Sequence, residues 1–331
     1  MSVQISHHPL EIIPKGEAEM IERVTKIQLE MMKNEDPQKR GQHPKQQALL
    51  RGIFEISDSV PESMRVGIFA EPKKFDALLR LSTGTKPKDS DPNSHGFSIK
   101  LLDVPGSSTN TQDFIFLDQP TFFIRDMAEY VTFFNSVQED KGASYFKNHP
   151  REFGLVMTFN VVITSHLERQ YWSTVPSAMG KNNAARFTLI PDPGNVSELP
   201  PVTTPDGLRE VLEDYFVKNR KSAKFLFAAQ GYIDEKTTPI EDATSTWSSP
   251  FENIATLTIP AQDFTAPEQF EFCENLSYNP WHCTSDHQPL GGIQRCRKLV
   301  YEEGARLRHE LNNAQNSEPT KADYDQLGSF L

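Results

Sequence analysis

LLRLSTGTKPKDSDPNSHGFSIKLL occupies residues 78–102. Two apolar runs, each of strand length, flank a cluster of Gly, Pro, Asp, Asn and Ser, and that arrangement reads as strand, turn, strand. Working outward, LLRGIFEI (49–56), RVGIFA (65–70) and DFIFL (113–117) repeat the pattern, and PGSSTNTQ (105–112) supplies another turn. Short apolar runs at this spacing predict an antiparallel sheet or barrel. Further along, AARFTLIPDPG and ENIATLTIPAQDF read as returning strands, with a helix and a strand between them in PDGLREVLEDYFVKNRKSAKFLFAAQGYI.

Helical periodicity frames the strands. In KGEAEMIERVTKIQLEMMKN (15–34), Met20, Val24, Ile27 and Met31 recur at helical spacing and predict an amphipathic helix, stopped by Asp36-Pro37. FFIRDMAEYVTFFNSV reads as a loop entering a helix, and YFKNHPREFGLVMTFNVV as its helical continuation. A last helix is expected from about Gly292 to Asn312. The tail NAQNSEPTKADYDQ is polar and reads as poorly ordered. Strands interleave with helices without a βαβ rhythm, so the fold class is α+β. The expected division is an N-terminal helical arm (1–35), one domain (36–312) and a polar tail (313–331).

Composition narrows the function. The chain has 331 residues, 37% hydrophobic and 24% charged, enough for a large core. A net charge of −11 argues against a nucleic-acid surface. No apolar run approaches the ~20 residues that span a bilayer, and the N-terminus lacks a cationic start followed by an apolar core. Cys273, Cys283 and Cys296 are odd in number and lack CxxC spacing, so neither a disulfide framework nor a structural zinc site is expected, and a reducing cytoplasm is the simplest location.

Some residues do not fit a purely structural reading. Arg80 lies in an otherwise apolar strand, where a charge needs an anionic partner or an outward face. Pro44 keeps His43 out of the right-handed helical region. In RKLVYEEGARLR (297–308), Arg297, Tyr301, Gly304 and Arg308 form one helical stripe, a basic face with a phenol at its centre. His282, Cys283, Asp286 and His287 lie close together in NPWHCTSDHQPL, but their spacing is not a zinc pattern, and the segment reads as a turn leading into the last helix.

The order of these pieces resembles the catalase family. RLSTGTKPKDSDPNSHGFSIKLLD is similar to the catalase segment that begins R-F-S-T and ends R-G-F-A-V-K. DFIFLDQPTFFIRD is similar to D-L-V-G-N-N-T-P-I-F-F-I-R-D, and RKLVY with its downstream arginines matches R-x-x-x-Y. The resemblance covers roughly residues 35–130 and 270–310. It implies an antiparallel β-barrel with packed α-helices around a buried haem b, and Tyr301 as the iron ligand, since tyrosine ligation is the catalase arrangement. By the same match, Arg297 would stabilise the phenolate, while Arg40, Arg80 and Arg308 would hold the haem propionates, with Arg306 less closely matched. His43 would be the distal acid–base group and Ser82 would orient its ring. Phe97 and Phe122 would line the haem pocket, with Phe123 beside them or in the core, and Gly304 would leave room for a flat macrocycle.

The resemblance also has gaps. The family's distal asparagine falls on Leu117, with Asp118 and Gln119 as the adjacent polar candidates, and Gln42 precedes the histidine where a small apolar residue is usual. The chain ends soon after the last helix, so a dinucleotide site and the family's threaded tetramer are not expected, and a homodimer stays open. The function so implied is a haem-dependent peroxidase or catalase-like enzyme that reduces hydrogen peroxide or organic hydroperoxides, with weak catalase activity. The alternatives are rearrangement of fatty-acid hydroperoxides (allene oxide synthase or hydroperoxide lyase type), a non-enzymatic haem-binding protein, and a haem-free descendant. Partners are a small peroxide or lipid hydroperoxide, without nucleic acid or membrane insertion.

Overall fold

Alternation along the strands builds the molecule. In β1 (Lys45–Ile56), β2 (Lys74–Thr83), β3 (His95–Leu101) and β4 (Gln112–Leu117), every second side chain points to one face. On one face lie Leu50, Phe54, Leu79, Leu81, Phe97, Ile99 and Phe116, all in a single apolar core. On the other lie Arg80, Ser82, Gly96, Ser98 and Lys100. The four strands form an antiparallel meander in which Arg80 faces Ser98 and Ser82 faces Gly96. The structure, a computed structural model, describes residues 8–33, 39–139, 141–199, 202–315, 317–328 and 330–331.

The sheet continues through β5 (Tyr171–Trp172), β6 (Ser177–Ala178), β7 (Ala184–Pro191), β8 (Ala223–Gly231) and β9 (Phe251–Ile259). β9 pairs with β1, and β5 bridges β4 to β7. Eight strands thus close into an antiparallel barrel, with β6 a short addition to β7. Aromatic rings fill the barrel. Phe227 meets Phe54, Phe114 and Phe187 with ring centroids 4.9, 5.0 and 5.2 Å away, and burying each such ring contributes about 1.5–3 kcal/mol.

Among the described residues, helices α1 (Glu17–Met32), α2 (Met127–Gln138), α3 (Gly142–Asn148), α4 (Pro150–Phe159), α5 (Gly207–Glu213), α6 (Pro267–Asn275), α7 (Gly292–Leu311) and α8 (Lys321–Gln326) surround the barrel. α1, α2 and α7 share a second apolar core that includes Ile21, Val24, Ile27, Phe122, Phe134, Ile293 and Cys296. Two charge-based locks place these helices. Asp126 caps α2 by accepting from the Glu129 backbone N–H at 3.0 Å. At the start of α7, buried Arg295 holds Glu11, Glu17 and Glu241 at 2.5, 2.6 and 2.9 Å.

The α+β barrel agrees with the reading from sequence, and four local expectations are corrected. RVGIFA is a 3-10 turn over Gly67–Phe69, because Ile68 and Phe69 are needed as buried side chains of the barrel core rather than as strand residues. In α1, Met31 is 44% exposed and Met32 is the buried residue, because the last turn of α1 faces Gly41 and Gly304 with Met32. The segment 142–159 is two helices, broken at His149 where Pro150 opens α4, a position proline favours. The tail is ordered through α8: Thr320 and Asp323 form a capping box, Tyr324 is buried and donates to the Gly52 carbonyl at 3.2 Å, and Glu318 reaches buried Lys100 at 2.6 Å. The Asp36-Pro37 helix stop and the first seven residues lie outside the described residues.

Candidate functional site

Much of the outward face of β1–β4 is covered by α6, residues 276–278 and α8, against which Leu49, Leu78 and Ile115 pack. Between its His43 end and α7 lies a cleft with two adjoining chambers. The outer chamber lies between α1 and α7 and is lined by Gln28, Met32, Gly304 and Arg308. The inner one lies against the sheet and is lined by His43, Arg80, Ser82, Gly96 and Leu117. Arg40, Gln42, Tyr278 and Tyr301 border both, so Tyr301 stands where the chambers join.

His43 enters the inner chamber from a left-handed backbone, φ 50°, a conformation costing of order 1 kcal/mol or more for a non-glycine residue. Its carbonyl accepts from the Arg80 Nη2 at 2.9 Å, which fixes the turn. Gly96 admits the ring: a Cβ there would lie 3.0 Å from His43 Nδ1 and 2.9 Å from Ser82 Oγ. Ser82 and the His43 ring therefore converge on one spot, and His43 Nδ1 has no hydrogen-bond partner. Burial, and next the Arg80 guanidinium, push the imidazole down to about 4. At neutral pH it is a neutral base.

Three arginines gather at one end of the cleft. Arg80 and Arg308 are each 3% exposed. Burial first, and then the nearby Arg40 charge, push Arg80 down to about 10 and Arg308 to about 9. The carboxylate that reaches this group is Glu274, 3.2 Å from Arg40. The remaining partners are uncharged: Arg80 donates to the His43 carbonyl, Arg40 to the Cys273 and Leu276 carbonyls, and Arg308 to the Leu276 carbonyl and the Ser277 hydroxyl. The Nε atoms of Arg80 and Arg308 have no partner. Buried cations need paired anions, so three guanidiniums with one carboxylate leave room for about two negative charges. A haem, which carries two propionates on a flat apolar ring, satisfies that demand, and the residues present fit such a group.

The structure thus brings His43, Ser82, Arg40, Arg80, Tyr301 and Arg308 together in one cleft. Other expected residues stand apart. Phe97 points into the barrel against Tyr171 and Phe225, at 5.5 and 5.4 Å between centroids, because strand alternation puts it opposite Gly96 and Ser98. Phe122 and Phe123 pack in the helical core and line neither chamber. Arg297 sits over the Phe122 ring at 5.3 Å and donates to Gln294 at 3.4 Å, rather than reaching Tyr301 one turn away. Arg306 pairs on the surface with Glu303 and Glu310. At Gly304 a Cβ would lie 3.5 Å from Met32 Sδ, so its open space faces α1.

Leu117 occupies the chamber wall. Asp118 turns away from that wall to bind His95 Nδ1 at 2.7 Å, and Gln119 is buried beyond it. His287 is buried against Phe69 and accepts from the Ile68 backbone N–H, while His282 joins Asp113 and Glu318. The sequence reading missed Gly96 and Tyr278. Gly96 had a signal, a lone glycine inside a strand pattern, which marks close approach. Tyr278 had none, being one aromatic residue before a turn.

Residues 3–158 match the family model described as Catalase. No curated protein matches the chain in sequence. Among solved structures, it is similar to a fungal catalase with TM-score 0.65 and 17% identity, covering 90% of this chain and 62% of that one. A bacterial catalase gives TM-score 0.64 and 17% identity, covering 98% of this chain and 65% of that one. Catalase A from Saccharomyces cerevisiae gives 0.65 and 15%, covering 89% of this chain and 68% of that one. The chain thus spans about two thirds or less of the length of the first two. The sequence match to that family model covers residues 3–158, and the chain as a whole carries the fold of the catalases.

Proposed function

We propose that the chain binds haem b in the cleft between α7 and the sheet, with Tyr301 as the axial ligand, and reduces hydrogen peroxide or organic hydroperoxides. The observation that carries this reading is the group of three arginines, two of them buried with unpartnered Nε atoms, beside a phenol and a neutral histidine. Arg40, Arg80 and Arg308 would pair with the propionates through charge-assisted hydrogen bonds. Bound haem supplies the redox chemistry of O–O cleavage. The chain supplies the proton handling: His43 takes a proton from one peroxide oxygen and returns it to the other, and Ser82 steadies its ring. Arg297 would have to leave Gln294 to reach the Tyr301 oxygen.

Leu117 tilts the reading toward peroxidase rather than rapid catalase activity. Disproportionation requires a second peroxide held tightly in the pocket, and an aliphatic wall offers it no hydrogen bond. The outer chamber supports a second reading. Met32, Val300 and Ala305 give it an apolar side suited to the chain of a fatty-acid hydroperoxide. The test is turnover by haem-loaded protein of hydrogen peroxide with a reducing donor, of an organic hydroperoxide, and of a fatty-acid hydroperoxide without donor, each beside His43→Gln. The first reading expects donor oxidation that falls about a hundredfold or more in the variant. Rearranged lipid product without donor oxidation would favour the second, and haem uptake with no turnover of any peroxide would reject both.

A further inference from the structure

The inner chamber lacks an amide donor at Leu117, yet a carboxylate lies just behind its wall. Asp118 follows β4 and is fully enclosed, as is His95 at the start of β3. The two are joined three times: the Asp118 backbone N–H donates to the His95 carbonyl at 3.1 Å, the His95 backbone N–H to Asp118 Oδ1 at 3.1 Å, and the His95 ring to Oδ2 at 2.7 Å. With Asp118 accepting, His95 Nδ1 is the donor of this bond. His95 is the neighbour of Gly96, the residue whose missing side chain admits His43. Beyond the pair, Arg169 stands 3.7 Å from Asp118 with its side chain 38% exposed, and His166 packs edge-on to His95 at 5.6 Å.

We propose that Asp118, held by its bonds to His95, is a positioning and charge-balancing residue for His43. The proposal rests on the reading of His43 as the distal proton carrier. The groups that act on His43 are Arg80 from β2, Asp118 beyond β4, His95 from β3 and Arg297 from α7. Three of these oppose its protonation, and Asp118 alone favours it. During peroxide cleavage the His43 ring must carry a proton between the two oxygens. It does so next to the Arg80 guanidinium, and a fixed carboxylate lowers the cost of that transient cation. No proton need reach Asp118, and the proton that His43 takes up is the one it gives back.

The test uses two variants and two readouts. In haem-loaded Asp118→Asn, kcat/KM for peroxide should fall roughly threefold to tenfold with an unchanged haem spectrum, and Asp118→Glu should recover most of it. In haem-free Arg169→Gln, whose altered side chain is partly exposed, the His43 ring titration followed by NMR should rise by about half a unit, because Asp118 no longer shares its charge with Arg169. Wild-type kcat/KM in Asp118→Asn, or an unmoved His43 titration in Arg169→Gln, would overturn the proposal. If Asp118→Asn does not fold, the Arg169→Gln titration decides alone. That titration is independent of haem, so its failure is distinguishable from failure of the haem reading.

Discussion

Arg308 is expected to serve a ligand at the expense of the fold. Its guanidinium is buried, donates to a carbonyl and a hydroxyl, and lies near the like charges of Arg40 and Arg80. Replacing a buried, incompletely paired cation with an apolar residue of similar volume is often neutral or stabilising. Arg308→Leu is therefore expected to leave the melting temperature of the haem-free protein unchanged or raised, while haem affinity by titration falls about tenfold or more. A large loss of haem-free stability would make Arg308 a structural residue instead. At Gly96, Gly96→Ala is expected to keep the barrel and cost peroxide turnover about tenfold or more, because its Cβ would displace His43 and Ser82. Legibility differs sharply between residues. Arg80 was readable because a charge in an apolar strand demands a reason. Phe97 was misplaced because a motif match does not say which face of the strand a side chain takes, whereas the register with Leu81 and Phe116 does.

Among elements, the barrel strands were legible because their cores alternate apolar with polar or small residues, and α7 because its stripe has one period over 20 residues. Short elements carried weaker signals. The turn at Gly67–Phe69 has strand-like composition, yet Gly67 takes φ 53° and lets the next two side chains enter the core. α8 did carry a readable start in TKAD, since Thr at the cap with Asp three residues on forms a capping box, but the surrounding polar tail hid it. The barrel's aromatic core is expected to be its most sensitive element. Phe227→Ala should cost about 3–5 kcal/mol in urea unfolding, because five rings would lose a partner. A cost below about 1 kcal/mol would mean that the barrel interior collapses to fill the space.

For the molecule as a whole, buried neutral histidines set the acid limit of stability. Burial pushes His287 down to about 4 and His166 well below its ordinary value. Unfolding frees both to bind protons near pH 6.5. The unfolded state thus binds more protons than the folded state as pH falls below about 6.5, and stability declines, by up to about 1.4 kcal/mol per pH unit for each histidine, until the folded-state pKa is reached. Above pH 6.5 neither contributes. Denaturant midpoints between pH 7 and 4.5 should show this fall, and a flat profile would contradict the burial of these rings. At this scale the sequence conveyed the order of the pieces, histidine, arginine strand, FFIRD and R-x-x-x-Y, but not that a cleft would join His43, Arg80 and Tyr301 while leaving FFIRD and Arg297 aside. That placement depends on how α7 packs against α1 and the barrel, which no local pattern encodes.

On the proposed function, Tyr301 binds haem iron in a cleft whose three arginines pair with the two propionates. The most direct test is the absorption spectrum of wild-type protein supplied with haem, beside Tyr301→Phe. The wild type is expected to take up haem with a ferric, tyrosinate-ligated spectrum that the variant loses, while the variant still binds through the arginine cluster more weakly. A wild type that takes up no haem, or a variant with the wild-type spectrum, would contradict ligation by Tyr301.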